Sequence, residues 1–111
     1  SGGKEIFLSF ENKNRTKLYS SLRLRITSDN KAIIREIHTF GPALPVKYRG
    51  RTPVFSPQHR GLGKRLIREA EKITKKEFLL NEITVISAVG VRSYFKKLGY
   101  QLRNTYMVKK L

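Results

Sequence analysis

A chain of 111 residues with 39% hydrophobic content suffices for one domain, burying roughly two-thirds of its unfolded surface. Lys and Arg number 24 against 8 Asp and Glu, and the formal charge of +16 points to an anionic partner: nucleic acid, an anionic surface or an anionic cofactor. There is no cysteine, which excludes disulfides, cysteine-held iron–sulfur or zinc sites and an acyl-cysteine intermediate.

Ser1-Gly2-Gly3 reads as a remnant of an expression tag, leaving 4–111 as a single domain. Residues 5–10 are aromatic and apolar enough for a strand, and Glu11-Asn12-Lys13-Asn14 for a turn. Leu18 to Ile26 alternates as a second, antiparallel strand, and Ser28-Asp29-Asn30-Lys31 turns the chain again. Ala32 to Phe40 is a third strand. Strict alternation puts Ile33, Arg35, Ile37 and Thr39 on one face and Ile34, Glu36, His38 and Phe40 on the other. Burial of Glu36 and His38 there would raise the pKa of the first and lower that of the second, as acid–base work near neutral pH requires. A structural pairing of Glu36 with an arginine is the alternative.

Gly41 to Pro57 reads as a long irregular connection holding all 4 prolines. Its Lys47, Arg49 and Arg51, with Tyr48 and Phe55 among them, suit a phosphate backbone and a stacked base, or a solvated basic loop. A helix is expected from about Gly61 to Phe78. Leu62, Leu66, Ile67, Ala70 and Ile73 form its apolar stripe. Lys64, Arg65, Arg68, Glu71, Lys72 and Lys75 form a solvated side, with Glu71 and Lys75 spaced to pair. Glu82 to Ser87 is a strand, Val91 to Leu98 a short helix stopped by Gly99, and Tyr100 to Val108 a last strand. The order β-β-β-loop-α-β-α-β describes an α/β domain with a mixed, mostly antiparallel sheet.

The stretch Gln58-His59-Arg60-Gly61-Leu62-Gly63-Lys64 opens the first helix. A helix N-terminus offers unpaired backbone N–H groups and partial positive charge, so it holds an anion well. The spacing fits neither a Walker A loop, which needs Gly at Gln58 and Ser or Thr at Arg65, nor a Rossmann fingerprint, which needs Gly at Leu66. Gln58, Gly61 and Gly63 do fit the pattern Gln/Arg-x-x-Gly-x-Gly/Ala. It resembles the pyrophosphate loop of GNAT acetyltransferases; a glycine turn before an ordinary amphipathic helix would look the same.

Further along, "YFKKLGY" resembles the closing helix and strand of that superfamily. Four blocks in order, "AIIREIHTFG", "QHRGLGKRLIREAEKI", "ITVISAVGVRSYFKKLGYQL" and "YMVKKL", resemble the C-terminal acetyltransferase domain of Elongator catalytic subunits. The resemblance covers nearly everything after residue 4. It implies a GNAT-like acyl-CoA N-acyltransferase fold, acetyl-CoA as the source of an acetyl unit, and tRNA wobble uridine as the acceptor. It also implies a radical S-adenosylmethionine domain with an iron–sulfur cluster, present in full-length members and missing from this cysteine-free chain.

The resemblance assigns Gln58, His59, Arg60, Gly61, Leu62, Gly63 and Lys64 to the CoA pyrophosphate. Ile37, His38 and Thr39 fall to the pantetheine arm, and Ser87, with Ala88 and Val89, to the point where two strands splay. Tyr94 matches a tyrosine beside the thioester sulfur, and Glu36 a general base of lysine-acetylating relatives; His38 shares its face. Phe95 stands where relatives often have a second tyrosine. tRNA contacts are expected at Lys47, Arg49 and Arg51. Two histidines far apart in sequence leave no metal site expected. No secretory pattern or membrane-length apolar run occurs, so a cytoplasmic protein without membrane contact is expected. Two further readings stay open: a protein lysine acetyltransferase using Glu36, and a basic RNA-binding module without acyl transfer.

Overall fold

The computed structural model describes residues 2–45, 61–86 and 91–111, with the backbone alone for 40–45. Lys47, Arg49, Arg51, Gln58, His59, Arg60, Ser87, Ala88 and Val89 lie outside the described residues. The elements are β1 (Lys4–Glu11), β2 (Lys17–Ile26), β3 (Ala32–Pro45), α1 (Leu62–Lys76), β4 (Glu82–Val85), α2 (Arg92–Lys97), β5 (Gln101–Arg103) and β6 (Tyr106–Lys110). They build one sheet in the order β1-β2-β3-β4-β6-β5. Among the described residues only β3 and β4 pair in parallel, and α1 lies in the crossover between them.

β2 shows why the sheet has one core face. Leu18, Ser20, Leu22, Leu24 and Ile26 are buried, while the residues between them are at least partly exposed. α1 lies on that face, burying Leu66, Ile67 and Ala70 against Leu22, Leu24, Ile34, Ile83 and Val85. Phe95, Leu98, Tyr100 and Met107 extend the same cluster. Short turns set the register. The Asn12 side-chain oxygen accepts from the Thr16 and Lys17 amides at 2.8 and 2.9 Å, and the β2–β3 turn closes through Thr27 N–H to the Lys31 carbonyl at 2.9 Å.

Four sequence expectations are corrected. β3 does not stop at Phe40: its backbone runs on to Pro45, where Leu44 pairs with Leu18 and Pro45 with Lys17. The last strand is a hairpin. Asn104 takes a φ of 57°, Arg103 pairs with Tyr106, and the two residues between them make the turn. Arg103 then donates two 3.1 Å bonds to Glu82, tying β5 back to β4. α1 ends at Lys76 rather than Phe78, because Leu79 adopts a left-handed φ of 57° and the Leu80 amide folds back to the Thr74 carbonyl at 3.1 Å.

The fourth correction concerns the faces of β3. Arg23 pairs with Glu36, but the next residue of β2, Leu24, pairs with Ile34. Arg35 is therefore an extra residue, a β-bulge that shifts the alternation by one. Ile34, Ile37 and Thr39 come to share the core face, while Ile33, Glu36 and His38 share the other.

Candidate functional site

The site begins with two glycines that serve different ends. Gly61 precedes α1 with a φ of 96°, a left-handed conformation open to glycine at little cost, and a Cβ there would meet nothing within 4 Å. Its carbonyl accepts the first helical bond, from the Arg65 amide at 3.1 Å. Gly63 is buried one residue inside the helix. A Cβ there would come within 3.3 Å of Thr39 Oγ1, 3.4 Å of the Tyr94 hydroxyl and 3.7 Å of Ile37 Cδ1. β3, α1 and α2 thus converge on one point at the helix N-terminus.

The electrostatics of this end are one-sided. Among the described residues the first turn holds no acidic residue and no side chain caps the helix, and Lys64 and Arg65 are exposed beside it. Two full charges add to the dipole's partial charge, which disfavours the helix until an anion arrives. Arg65 leans over the Phe10 ring, 4.8 Å from its centroid, and so flanks the site from the β1 side.

Next to this lies a gap in the sheet. β3 and β4 pair only over Ala32–Ile34 and Ile83–Val85, with a final bond from the Ile86 amide to the Ile34 carbonyl at 3.3 Å. β3 continues for eleven residues past Ile34 while β4 has ended at Val85. Among the described residues no strand covers that edge of β3, and Ile37 and Thr39 stand on it. The Arg35 bulge sits where the pairing stops.

Tyr94 is 42% exposed. Its ring meets Phe95 edge-on at 5.4 Å. Partial burial pushes the phenol up from its ordinary value, so Tyr94 keeps its proton at neutral pH. Two hydroxyls, Thr39 and Tyr94, therefore stand within reach of the Gly63 position.

Glu36 and His38 are elsewhere. The bulge turns both to the face of the sheet opposite α1, among Phe7, Ser9, Ser21 and Arg23. The Glu36 carboxylate pairs with Arg23 at 2.9 Å and lies 3.9 Å from His38 Nε2. The Glu36 side chain is 48% exposed, so the burial expected of it is not there. Of the expected site residues in described positions, the structure brings together Ile37, Thr39, Gly63 and Tyr94, with Gly61, Leu62 and Lys64 at the helix end; the Glu36 and His38 side chains are not among them, while the His38 backbone runs between Ile37 and Thr39.

One charged centre was misread from the sequence. Glu71 is not on a solvated side and does not pair with Lys75. It is 9% exposed and takes bonds from the Tyr100 hydroxyl at 2.8 Å, Lys109 Nζ at 3.2 Å and Arg68 at 3.2 Å. Burial, then the bond to Glu71, pushes the Tyr100 phenol far up. The signal was available: Glu71 lies four residues after Ile67 and three before Thr74, at the edge of the buried stripe.

No family model matches the chain. The tRNA uridine(34) acetyltransferase of Dehalococcoides mccartyi is 43% identical over all of this chain and 26% of its own length. The archaeal Elp3 structure from Methanocaldococcus infernus shares 40% identity and a TM-score of 0.80, over 99% of this chain and 27% of that one. The chain thus spans about a quarter of the length of these relatives. Tetrahymena GCN5, at 14% identity, a TM-score of 0.62 and coverage of 96% of this chain and 68% of its own, shows that the fold is that of the GNAT acetyltransferases.

Proposed function

We propose, for a chain homologous over its whole length to the C-terminal part of Elongator Elp3 and tRNA uridine(34) acetyltransferase, that it is the acetyl-CoA-binding acetyltransferase domain of a tRNA wobble-uridine-modifying enzyme. The observation that carries the reading is the cradle at Gly63, where only a missing side chain leaves room between Thr39, Tyr94 and Ile37.

Acetyl-CoA, when bound, supplies an activated acetyl unit. Gly61, Leu62, Gly63 and Lys64, preceded by Gln58, His59 and Arg60, hold the pyrophosphate with backbone N–H groups and cations. The backbone of Ile37, His38 and Thr39 lines the pantetheine arm along the edge of β3 that no described strand covers, with Ser87 toward the thioester. Tyr94 holds a proton on its hydroxyl oxygen beside that arm. Lys47, Arg49 and Arg51 take tRNA phosphates. The radical domain, with its iron–sulfur cluster and S-adenosylmethionine, belongs to the remainder of a longer protein; this chain has no cysteine to ligate such a cluster. Among the described residues no helix is long and apolar enough to cross a membrane.

Calorimetry with acetyl-CoA tests the reading. The chain should bind, and Gly63→Trp, which fills the cradle, should not. Equal affinity in both would overturn it. A lysine acetyltransferase using Glu36 is disfavoured, because Arg23 already pairs with that carboxylate on the far face of the sheet.

A further inference from the structure

The outer side of α1 carries more charge than a cofactor at its first turn can use. Lys64, Arg65, Arg68, Lys72, Lys75 and Lys76 are all exposed on it, against Glu69 alone. Of the six, only Arg68 has an ion-pair partner among the described residues, Glu71 at 3.2 Å. Lys64, Arg68, Lys72 and Lys76 follow one another at spacings of four, so each stands over a like charge and repels it. A pyrophosphate at Gly61 relieves Lys64 and Arg65. Arg68 to Lys76 lie roughly 6 to 18 Å further along the axis, at about 1.5 Å per residue, beyond the reach of that group. The C-terminal dipole favours Lys75 and Lys76 but does nothing for Arg68 or Lys72.

Two more cations stand on α2. Tyr94 meets α1 at Gly63, and Tyr100 meets it again at Glu71. Between these two contacts in sequence stand Lys96 and Lys97, both exposed. Every exposed side chain of α1 is charged, so this face has nothing apolar to insert into a membrane or to dock in a protein groove. What complements it is an extended, water-facing polyanion with charges repeated every few ångströms.

We propose that the outer face of α1, continued by Lys96 and Lys97, is a track for the phosphate backbone of RNA. This rests on the tRNA reading above and adds a surface distinct from Lys47, Arg49 and Arg51. Contacts to phosphate position a nucleic acid without reading its sequence. The track therefore adds affinity without base preference, and it places the bound RNA directly beside the cradle at Gly63.

The test measures fluorescence anisotropy of tRNA and of an unrelated RNA hairpin with the chain, over a series of salt concentrations. The variant Lys72→Gln/Lys75→Gln/Lys76→Gln touches neither the core nor the cradle. At 0.1 M salt (about physiological ionic strength) it should bind both RNAs at least tenfold more weakly. Its slope of log affinity against log salt should fall by about 2 to 3, since each lost phosphate contact removes roughly 0.7 to 0.9. Acetyl-CoA affinity should not change. The triple Lys→Arg variant, which keeps the charge, should bind as the parent does. Parental affinity and slope in the Gln variant, with binding lost in Lys47→Gln/Arg49→Gln/Arg51→Gln instead, would remove the track and leave the tRNA reading standing. A parent chain that binds neither RNA, or binds anionic vesicles in preference, overturns both.

Discussion

Two neighbouring glycines make the clearest contrast at the scale of single residues. Gly61→Ala meets no atom, but forces a side chain into a left-handed backbone, so urea unfolding should show a loss of about 1 kcal/mol. Gly63→Ala keeps a helical backbone and instead drives a methyl to 3.3 Å from Thr39 Oγ1 and 3.4 Å from the Tyr94 hydroxyl. Calorimetry should show its acetyl-CoA affinity falling tenfold or more while stability changes little. Glu71 is the second point. Truncation to Ala leaves the Tyr100 hydroxyl and Lys109 without their acceptor in a nearly buried place, and should destabilise by about 2 to 3 kcal/mol. Tyr100 also predicts a pH dependence. Its phenol is raised above the unfolded value of about 10, so the folded state holds the proton more tightly. That contribution is complete below about pH 10 and is lost as pH rises beyond it. The urea midpoint should fall between pH 9 and pH 11, and fall less in Tyr100→Phe; equal falls would mean that other groups carry the effect.

At the scale of elements, the bulge in β3 decides which side chains reach the site. Arg35 has no partner of its own in β2, and the one-residue shift it creates places Ile37 and Thr39 with Ile34 on the α1 side. Deleting Arg35 would restore strict alternation. Ile34, Glu36, Ile37, His38 and Thr39 would then follow one another in regular alternation, with Ile34, Ile37 and Thr39 still on the core face. Calorimetry should therefore show acetyl-CoA binding retained in the deletion, and binding lost would show that the cradle needs the bulge itself rather than the faces it sets. Strict alternation, read from the sequence, could not foresee this, because a bulge is a property of two strands paired in space. The turn at Asn104 was missed for a related reason. Arg-Asn-Thr-Tyr has only one turn-prone residue, and its left-handed conformation becomes favourable once β5 can pair with β6 and Arg103 can reach Glu82. The start of α1 was legible, since two glycines and a regular apolar stripe are local signals; its end was two residues short of expectation.

At the scale of the molecule, a charge of +16 on 111 residues works against compactness. Repulsion of this kind is screened over about 10 Å at 0.1 M salt. The thermal midpoint should therefore rise from low salt to 0.3 M sodium chloride (a shorter screening length), whereas RNA affinity should fall over the same range. A midpoint indifferent to salt would mean that the excess cations stand too far apart to repel one another. The ion pairs involve mostly other parts of the surface: Glu5, Asp29, Glu36 and Glu82 pair with cations off α1. The cations of α1 are left largely without acids, and that asymmetry is what makes a polyanion a fitting partner.

The sequence by itself determined the class of fold, the helix that opens at Gly61, the basic excess and the kinship with tRNA-modifying acetyltransferases. These rest on local spacing, composition and ordered blocks of similarity, all of which survive without coordinates. Only the tertiary structure decided which chemistry-bearing residues share a site. It placed Thr39 and Tyr94, 55 residues apart, at one glycine, and sent Glu36 to the far face with Arg23. It also buried Glu71 under Tyr100 and Lys109. The physical reason is common to all three. Each outcome depends on the register of a neighbouring strand or on the helix packed across the sheet, and no local pattern encodes either.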